Sequence, residues 1–263
     1  MSDRRHRQKE QRAAKREAER KQEARRELGR RLLTALLFGL VVVAIFAFGG
    51  FFGGEGDSDD PATYEDYRER PTACGAERPP PEQVMTFEAP ETQTDISEAT
   101  SVTATIATSC GDIVLDLNTS GAPETVNSFV FLARAGFFDG QVIHRIAENF
   151  VIQAGDPDAD GTGGPGYVIA DEYPEEDFVY EEGVVAMANR GARSTGSQFF
   201  VVIGEAGRHL TNQFNVLGTV TSGNDAIEQI MAVETATAPG SVEQSRPLES
   251  VYIESITVDV AGS

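Results

Sequence analysis

Arg145 and Gln153 lie within the stretch VIHRIAENFVIQAGD at residues 142–156. Apolar, β-branched residues flank His144-Arg145, and a second apolar run from Phe150 leads through Gln153 to Gly155-Asp156-Pro157. The pattern predicts two short β-strands joined by a tight connection. An arginine and a glutamine then project from neighbouring strands beside Phe150. That combination makes a greasy binding face with fixed hydrogen-bond donors, and it supplies no nucleophile. His144 invites a general-base reading, but no Ser or Cys nucleophile lies near it in sequence, and three His in the whole chain argue against a metal centre. A histidine that is packed, or that supports a neighbouring site residue, is the preferred reading, and no metal or cofactor is expected.

Two neighbouring motifs mimic other chemistry. Residues 161–166, GTGGPG, match GxGxxG literally, but acidic residues precede them and Pro165 and Tyr167-Val168-Ile169-Ala170 follow. A dinucleotide site needs a strand before the glycines and a helix N-terminus after them. Asp156, Asp158, Asp160 and Gly161 resemble the start of a calcium loop, yet Tyr167 stands where the bidentate Glu belongs. A solvated loop is the simpler reading. Asn118-Thr119-Ser120 fits a glycosylation sequon, a pattern frequent by chance.

The elements that must position these residues follow from periodicity. Val102, Ala104 and Ile106 alternate with polar residues, a turn follows at Ser109-Cys110-Gly111-Asp112, and Ile113, Leu115 and Leu117 alternate again. This predicts a β-hairpin. Pro123 opens a helix with Val126, Phe129, Val130 and Ala133 on one face, ending near Gly136. Short strands are predicted at 168–170, 184–187, 199–203 and 216–220, a second helix at about 224–233 with Ile227, Ile230 and Met231 on its buried side, and a closing strand at 251–260. Many short strands with two lone helices predict a mainly β fold, a barrel with helical covers rather than a βαβ sheet.

Charge divides the chain. Residues 1–31 hold 13 Lys+Arg and 6 Asp+Glu, a basic tail; residues 32–52 hold no charge; residues 53–263 hold 9 Arg and 36 acidic residues. A body this acidic repels a phosphate backbone, so no nucleic-acid partner is expected for it. Residues 32–52, LLTALLFGLVVVAIFAFGGFF, are 21 in number. As a helix they would span ~30 Å, the bilayer core. The basic excess on their N-terminal side predicts a cytoplasmic N-terminus and a body outside, in a single-pass cell-membrane protein. A cleaved signal peptide, with Ala47-Phe48-Gly49 as a weak site, is the competing reading. Residues 53–97, acidic and Pro-rich, are expected to be a flexible linker that holds a folded domain, 98–263, off the membrane. Cys74 and Cys110 are the only thiols and form a disulfide candidate; two unpaired thiols are the alternative.

Three blocks then coincide in order: IHRI and NFVIQAGD within 143–156, GTGGPGY at 161–167, and VAMAN and GSQFF within 185–200. Together they resemble the cyclophilin family of peptidyl-prolyl cis-trans isomerases, over roughly residues 102–260. VNSFVFLARAGFFDG is similar to the family's first helix and the turn after it. The N-terminal anchor and linker resemble membrane-tethered bacterial members. The resemblance implies a closed eight-stranded antiparallel β-barrel capped by two α-helices, here preceded by one transmembrane helix.

By motif position it implies that Arg145 is the catalytic arginine, with Phe150 and Gln153 beside it and Val151 in place of the usual methionine. Gly161 matches the loop glycine; Ala188, Asn189 and Arg190 match the peptide-binding edge; Gln198 and Phe200 line the proline pocket and Leu210 closes its far wall. His209 stands where a Trp important for cyclosporin is frequent, which implies weak cyclosporin binding. Phe214 replaces a frequent His or Tyr, and Arg190 replaces an edge alanine, a change that favours acidic residues beside the proline. The implied reaction is rotation about X–Pro bonds of exported or unfolded polypeptides. A membrane-tethered proline-peptide binding module or holdase, without essential turnover, is the alternative.

Overall fold

The structure, a computed structural model, describes residues 62–97, 99–237 and 241–262. The basic tail, the apolar run 32–52 and the start of the linker lie outside the described residues. Alternation in the sequence becomes one-sided burial. Strand β1 (Ser101–Thr108) buries Val102, Ala104 and Ile106, and β2 (Gly111–Leu117) buries Ile113, Leu115 and Leu117, the two paired from Thr103↔Asp116 to Thr108↔Gly111.

Helices α1 (Tyr64–Glu69) and α2 (Thr94–Ser97) precede them, and α3 (Pro123–Arg134) follows. Pro begins α3, where its missing N–H is no loss. Ala122 offers no side-chain cap; the Glu172 carboxylate instead accepts the N–H groups of Glu124 (3.0 Å) and Thr125 (2.8 Å). A carboxylate at that end also complements the helix dipole. Val126, Phe129, Val130 and Ala133 are buried in the main core.

Strands β3 (Arg145–Ala147), β4 (Val151–Ala154), β5 (Val184–Met187), β6 (Phe199–Val202), β7 (Val216–Ser222) and β10 (Ile253–Ala261) complete a curled antiparallel sheet of eight, in the order β10-β1-β2-β7-β5-β6-β4-β3. Helix α4 (Asn224–Met231) follows β7, and a separate hairpin, β8 (Thr235–Thr237) with β9 (Gln244–Pro247), precedes β10. The edges of the sheet approach each other: Ile143 N–H donates to Val251 O (2.9 Å) and Ile253 N–H to Gln141 O (2.8 Å).

In β4, β5 and β6 every residue is buried. Their alternate residues serve two cores. Ile152, Ala154, Val185, Met187, Phe199 and Val201 join the main one; Val151, Val184, Ala186, Phe200 and Val202 face a second, smaller one. A strand covered on both faces reads as an unbroken apolar run, as β5 and β6 do; β4 departs from it only at Gln153.

Four expectations need correction. From Ala62 onward the expected flexible linker is an ordered strap: Tyr67 and Ala73 are buried, Tyr67 Oη donates to His144 O (2.9 Å), and Phe87 N–H donates to Pro165 O (2.8 Å). Low apolar content concealed a few well-spaced anchors. The strand expected at 168–170 shrinks to one bridge, Ile169↔Thr195, because the segment runs along a loop with no ladder neighbour. Met231 is exposed; Ala226 and Ile230 carry the buried face of α4, which ends at Met231. Finally, among the described residues two short α-helices and a 3-10 turn, Ala73–Gly75, lie within the strap in addition to the two helices expected. Cys74 and Cys110 form a disulfide that ties the strap to the β1–β2 turn.

Candidate active site

The β3–β4 ladder puts Arg145 opposite Gln153, and β4–β6 puts Gln153 opposite Phe200. This register aligns a chain of side-chain hydrogen bonds. Arg145 Nη1 donates to Gln153 Oε1 (3.0 Å), Gln153 Nε2 to Gln198 Oε1 (2.9 Å), and Gln198 Nε2 to the carbonyl of Gly163 (3.0 Å). Each amide both accepts and donates, so the chain runs one way and fixes both Gln orientations. Gln153 and Gln198 are buried, and burial makes such a network rigid when its members are satisfied.

The Arg145 guanidinium carbon lies 5.3 Å from the centre of the Phe150 ring. Its other side meets a residue the sequence reading missed. Nη2 donates to Glu243 Oε1 (2.9 Å) and Oε2 (3.0 Å), and Nε donates to Oε2 (3.3 Å). The guanidinium is thus gripped on two edges and lies along an aromatic face.

Beside it lies the second apolar cluster, which gathers Phe150, Val151, Ala188, Phe200, Leu210 and Phe214. Phe200 and Phe214 meet edge to face at 5.5 Å. Tyr180, not foreseen, backs the cluster by donating its hydroxyl to Phe214 O (2.7 Å); burial drives its pKa up to about 12, so the hydroxyl keeps its proton. Leu210 is held indirectly: Asn149, in the turn between β3 and β4, accepts from the N–H of Glu205 (3.1 Å) at the start of the short helix Glu205–His209 that leads to Leu210. His209 ends that helix and is exposed.

Gly161, Ala188, Asn189, Arg190 and Gln198 meet elsewhere, around a cavity of about 550 Å³ between the Gly-rich loop and residues 188–198. Arg190 bridges its walls, donating from Nη2 to Gly161 O (2.6 Å). Asn189 Nδ2 donates to Gln213 O (2.7 Å). The cavity does not include Arg145, Phe150 or Phe200. Gln198 joins the two regions: it lines the cavity and bonds Gln153 behind the apolar cluster. Two neighbouring regions thus share Gln198: a cation beside an apolar cluster, and a polar-walled recess.

Residues 103–258 match the family model described as "Cyclophilin type peptidyl-prolyl cis-trans isomerase/CLD". The chain belongs to the cyclophilin family. Among cyclophilin relatives, "Probable peptidyl-prolyl cis-trans isomerase B" of Mycobacterium tuberculosis is 35% identical over 194 residues, covering 68% of this chain and 62% of that one. The match therefore spans less than two thirds of that relative's length. "Probable peptidyl-prolyl cis-trans isomerase A" of Mycobacterium leprae is 39% identical over 171 residues, 59% of this chain and 91% of the relative. A crystal structure of a Cryptosporidium parvum cyclophilin type isomerase shares the fold, with a TM-score of 0.55 and 23% identity over 60% of this chain and 98% of that one. A second crystal structure of that protein was obtained in the presence of the dipeptide Ala-Pro (TM-score 0.53, 24% identity, 61% and 99% covered).

In this cyclophilin the site arginine pairs with a distant carboxylate, Glu243. Glu243 comes from the β8–β9 hairpin, outside the eight-stranded sheet and 98 residues from Arg145. Nothing local in the sequence marked it. His144, in contrast, is as the sequence suggested: buried, its Nδ1 without a hydrogen-bond partner among the described residues, and its pKa pushed down to about 4 by burial and then by Arg145. At neutral pH it is an uncharged packing residue.

Proposed function

We propose that the chain catalyses cis-trans rotation of X–Pro peptide bonds, with Arg145 as the group that acts on the reacting amide. Rotation costs ~18–20 kcal/mol because the C–N bond is partly double, and X–Pro bonds exchange slowly between two populated isomers. No nucleophile is needed. A group must favour the twisted amide over the planar one. As resonance breaks, the proline nitrogen gains a lone pair, and a guanidinium N–H aimed at it stabilises that state selectively. Arg suits the role because it stays charged and its fork is rigid. The carrying observation is the guanidinium held by Gln153 beside the Phe150, Val151, Phe200, Leu210 and Phe214 cluster, which is an apolar seat for the proline ring. Gln153 and Asn189 orient the chain on either side so that one bond turns.

The test is cis-trans exchange of Ala-Pro and Glu-Pro peptides by the full chain, beside Arg145→Ala. Removing a pre-positioned donor costs about a hundredfold or more in turnover, so the variant is expected to lose most of its acceleration. A folded parent without acceleration defeats the isomerase reading in favour of a tethered proline-peptide binding module; binding retained by Arg145→Ala beside a lost turnover supports the isomerase. Arg190 at the cavity rim favours peptides with an acidic residue beside the proline, and Glu-Pro is expected to be the better substrate. Exposed His209 in place of Trp gives weak cyclosporin inhibition.

The same proposal places the domain, a barrel closed along the Ile143–Val251 seam, outside the cytoplasmic membrane on a helix formed by residues 32–52. The 21-residue uncharged run, the basic residues on its N-terminal side and the Cys74–Cys110 disulfide support that reading. Its substrates are then exported or unfolded polypeptides.

A further inference from the structure

We infer that Glu243 is a positioning residue for the isomerase reaction, a carboxylate clamp that fixes the plane of the Arg145 guanidinium. The inference deepens the isomerase reading and rests on it. Both Glu243 carboxylate oxygens accept from Arg145, Oε2 from two nitrogens, while Gln153 holds Nη1 on the opposite edge. A two-point fork of this kind removes rotation about the Cδ–Nε bond, which a single hydrogen bond leaves open. Both side chains are largely withdrawn from solvent, with 14% of Arg145 and 19% of Glu243 exposed. A charge withdrawn that far needs a counter-charge, so the carboxylate also steadies the cation when a peptide covers it.

The source of Glu243 adds a second point. It immediately precedes β9 in a two-stranded hairpin apart from the main sheet, and its N–H donates to Ser241 Oγ (2.9 Å). The hairpin is tied in turn to the strap, where Arg70 Nη1 donates to Pro247 O (2.5 Å), and the segment after it is tied there too, Ser250 N–H donating to Pro71 O (2.8 Å). The orientation of the site arginine is therefore set from two sides, by Gln153 within its own sheet and by Glu243 from outside it.

The experiment compares Glu243→Ala, Glu243→Gln and Glu243→Asp with the parent and Arg145→Ala, all as full chains. Two readouts are taken: kcat and KM on an Ala-Pro peptide, and the Arg145 Nε–H proton resonance, assigned by its absence in Arg145→Ala. Misplacing a reacting group by an ångström costs up to ~100-fold; Glu243→Ala is expected to lower kcat about tenfold on that scale while KM barely moves. Its Nε–H signal should shift and exchange faster with water. Gln and Asp should restore part of both. If Glu243→Ala does not fold, the near-isosteric Gln variant carries the comparison. A folded Glu243→Ala (or Gln, in that case) with the parent's kcat, or with an unchanged Nε–H signal, overturns the clamp, and does so without touching the isomerase reading if Arg145→Ala is inactive. An inactive parent overturns that reading and the role given to Glu243 with it.

Discussion

Glu82 sits partly buried on the strap, with Oε2 shielded from solvent and without a hydrogen-bond partner among the described residues. Burial first, then the charges of Asp156, Asp158 and Glu65, push its pKa from 4.5 up to about 8. Asp156 is buried too, and burial raises it from 3.8 to about 6 even though it accepts N–H bonds from Asp158 (2.9 Å) and Gly161 (2.6 Å). Both acids therefore hold protons in the folded chain at pH values where the unfolded chain has released them. The stability this represents is fully present below about 4.5 for Glu82 and is lost as pH rises through about 8. His144 works the other way, since its lowered pKa removes stability as pH falls from 6.5 toward about 4. Glu82→Gln should thus gain thermal stability over the parent, and the gain should be larger at alkaline than at weakly acidic pH. Unfolding temperatures of the two chains at both ends of that range check the sign; an equal gap at both ends would show that Glu82 does not titrate in this window.

The strap is the element whose removal should matter most. Tyr67 is buried under residues that lead into β3 and β10, Phe87 packs edge to face on Phe131 of α3 at 4.9 Å, and Arg134 of α3 holds Asp95 at 2.6 Å. The strap meets the Gly-rich loop at Gly166, whose φ of +93° suits glycine and whose missing side chain leaves room for Thr86 and Phe87; a Cβ there would stand 2.8 Å from Phe87 O. Gly166→Ala should therefore cost more than the ~1 kcal/mol of an ordinary Gly replacement at an incompatible backbone angle, and should loosen the wall of the cavity as well. Denaturant unfolding and peptide KM measure the two effects. The disulfide spans a sequence separation of 36. Cross-links of this kind contribute about 2–4 kcal/mol, so Cys74→Ser should lower the unfolding free energy by that amount. Little loss would mean that the strap's packing alone secures it.

At the scale of the whole molecule, the proposed anchor predicts that the full chain sediments with membranes and resists an alkaline wash, whereas a chain beginning after residue 52 is soluble; wash-released full-length chain would defeat the anchor. The division of charge that motivates this was readable at once, because composition needs no fold. So were the β1–β2 hairpin and α3, since one-sided burial leaves a period of two or of 3.6 in the sequence. Arg145 and Gln153 beside Phe150 could be read from two short strand patterns, and Phe200 from the resemblance that the GSQFF motif carries. What the sequence could not reveal was non-local. In β5 and β6 the unbroken apolar runs left no period from which to read that the sheet serves two cores, because both faces are buried. The strap passed for a linker because its few anchors carry no period. Glu243 lay beyond reach because an ion pair between a sheet edge and a separate hairpin depends on how the hairpin docks. Short motifs and the resemblance they carry thus determined the site's chemistry and one neighbour of its arginine, Gln153; only the tertiary structure decided that a distant carboxylate grips the other edge.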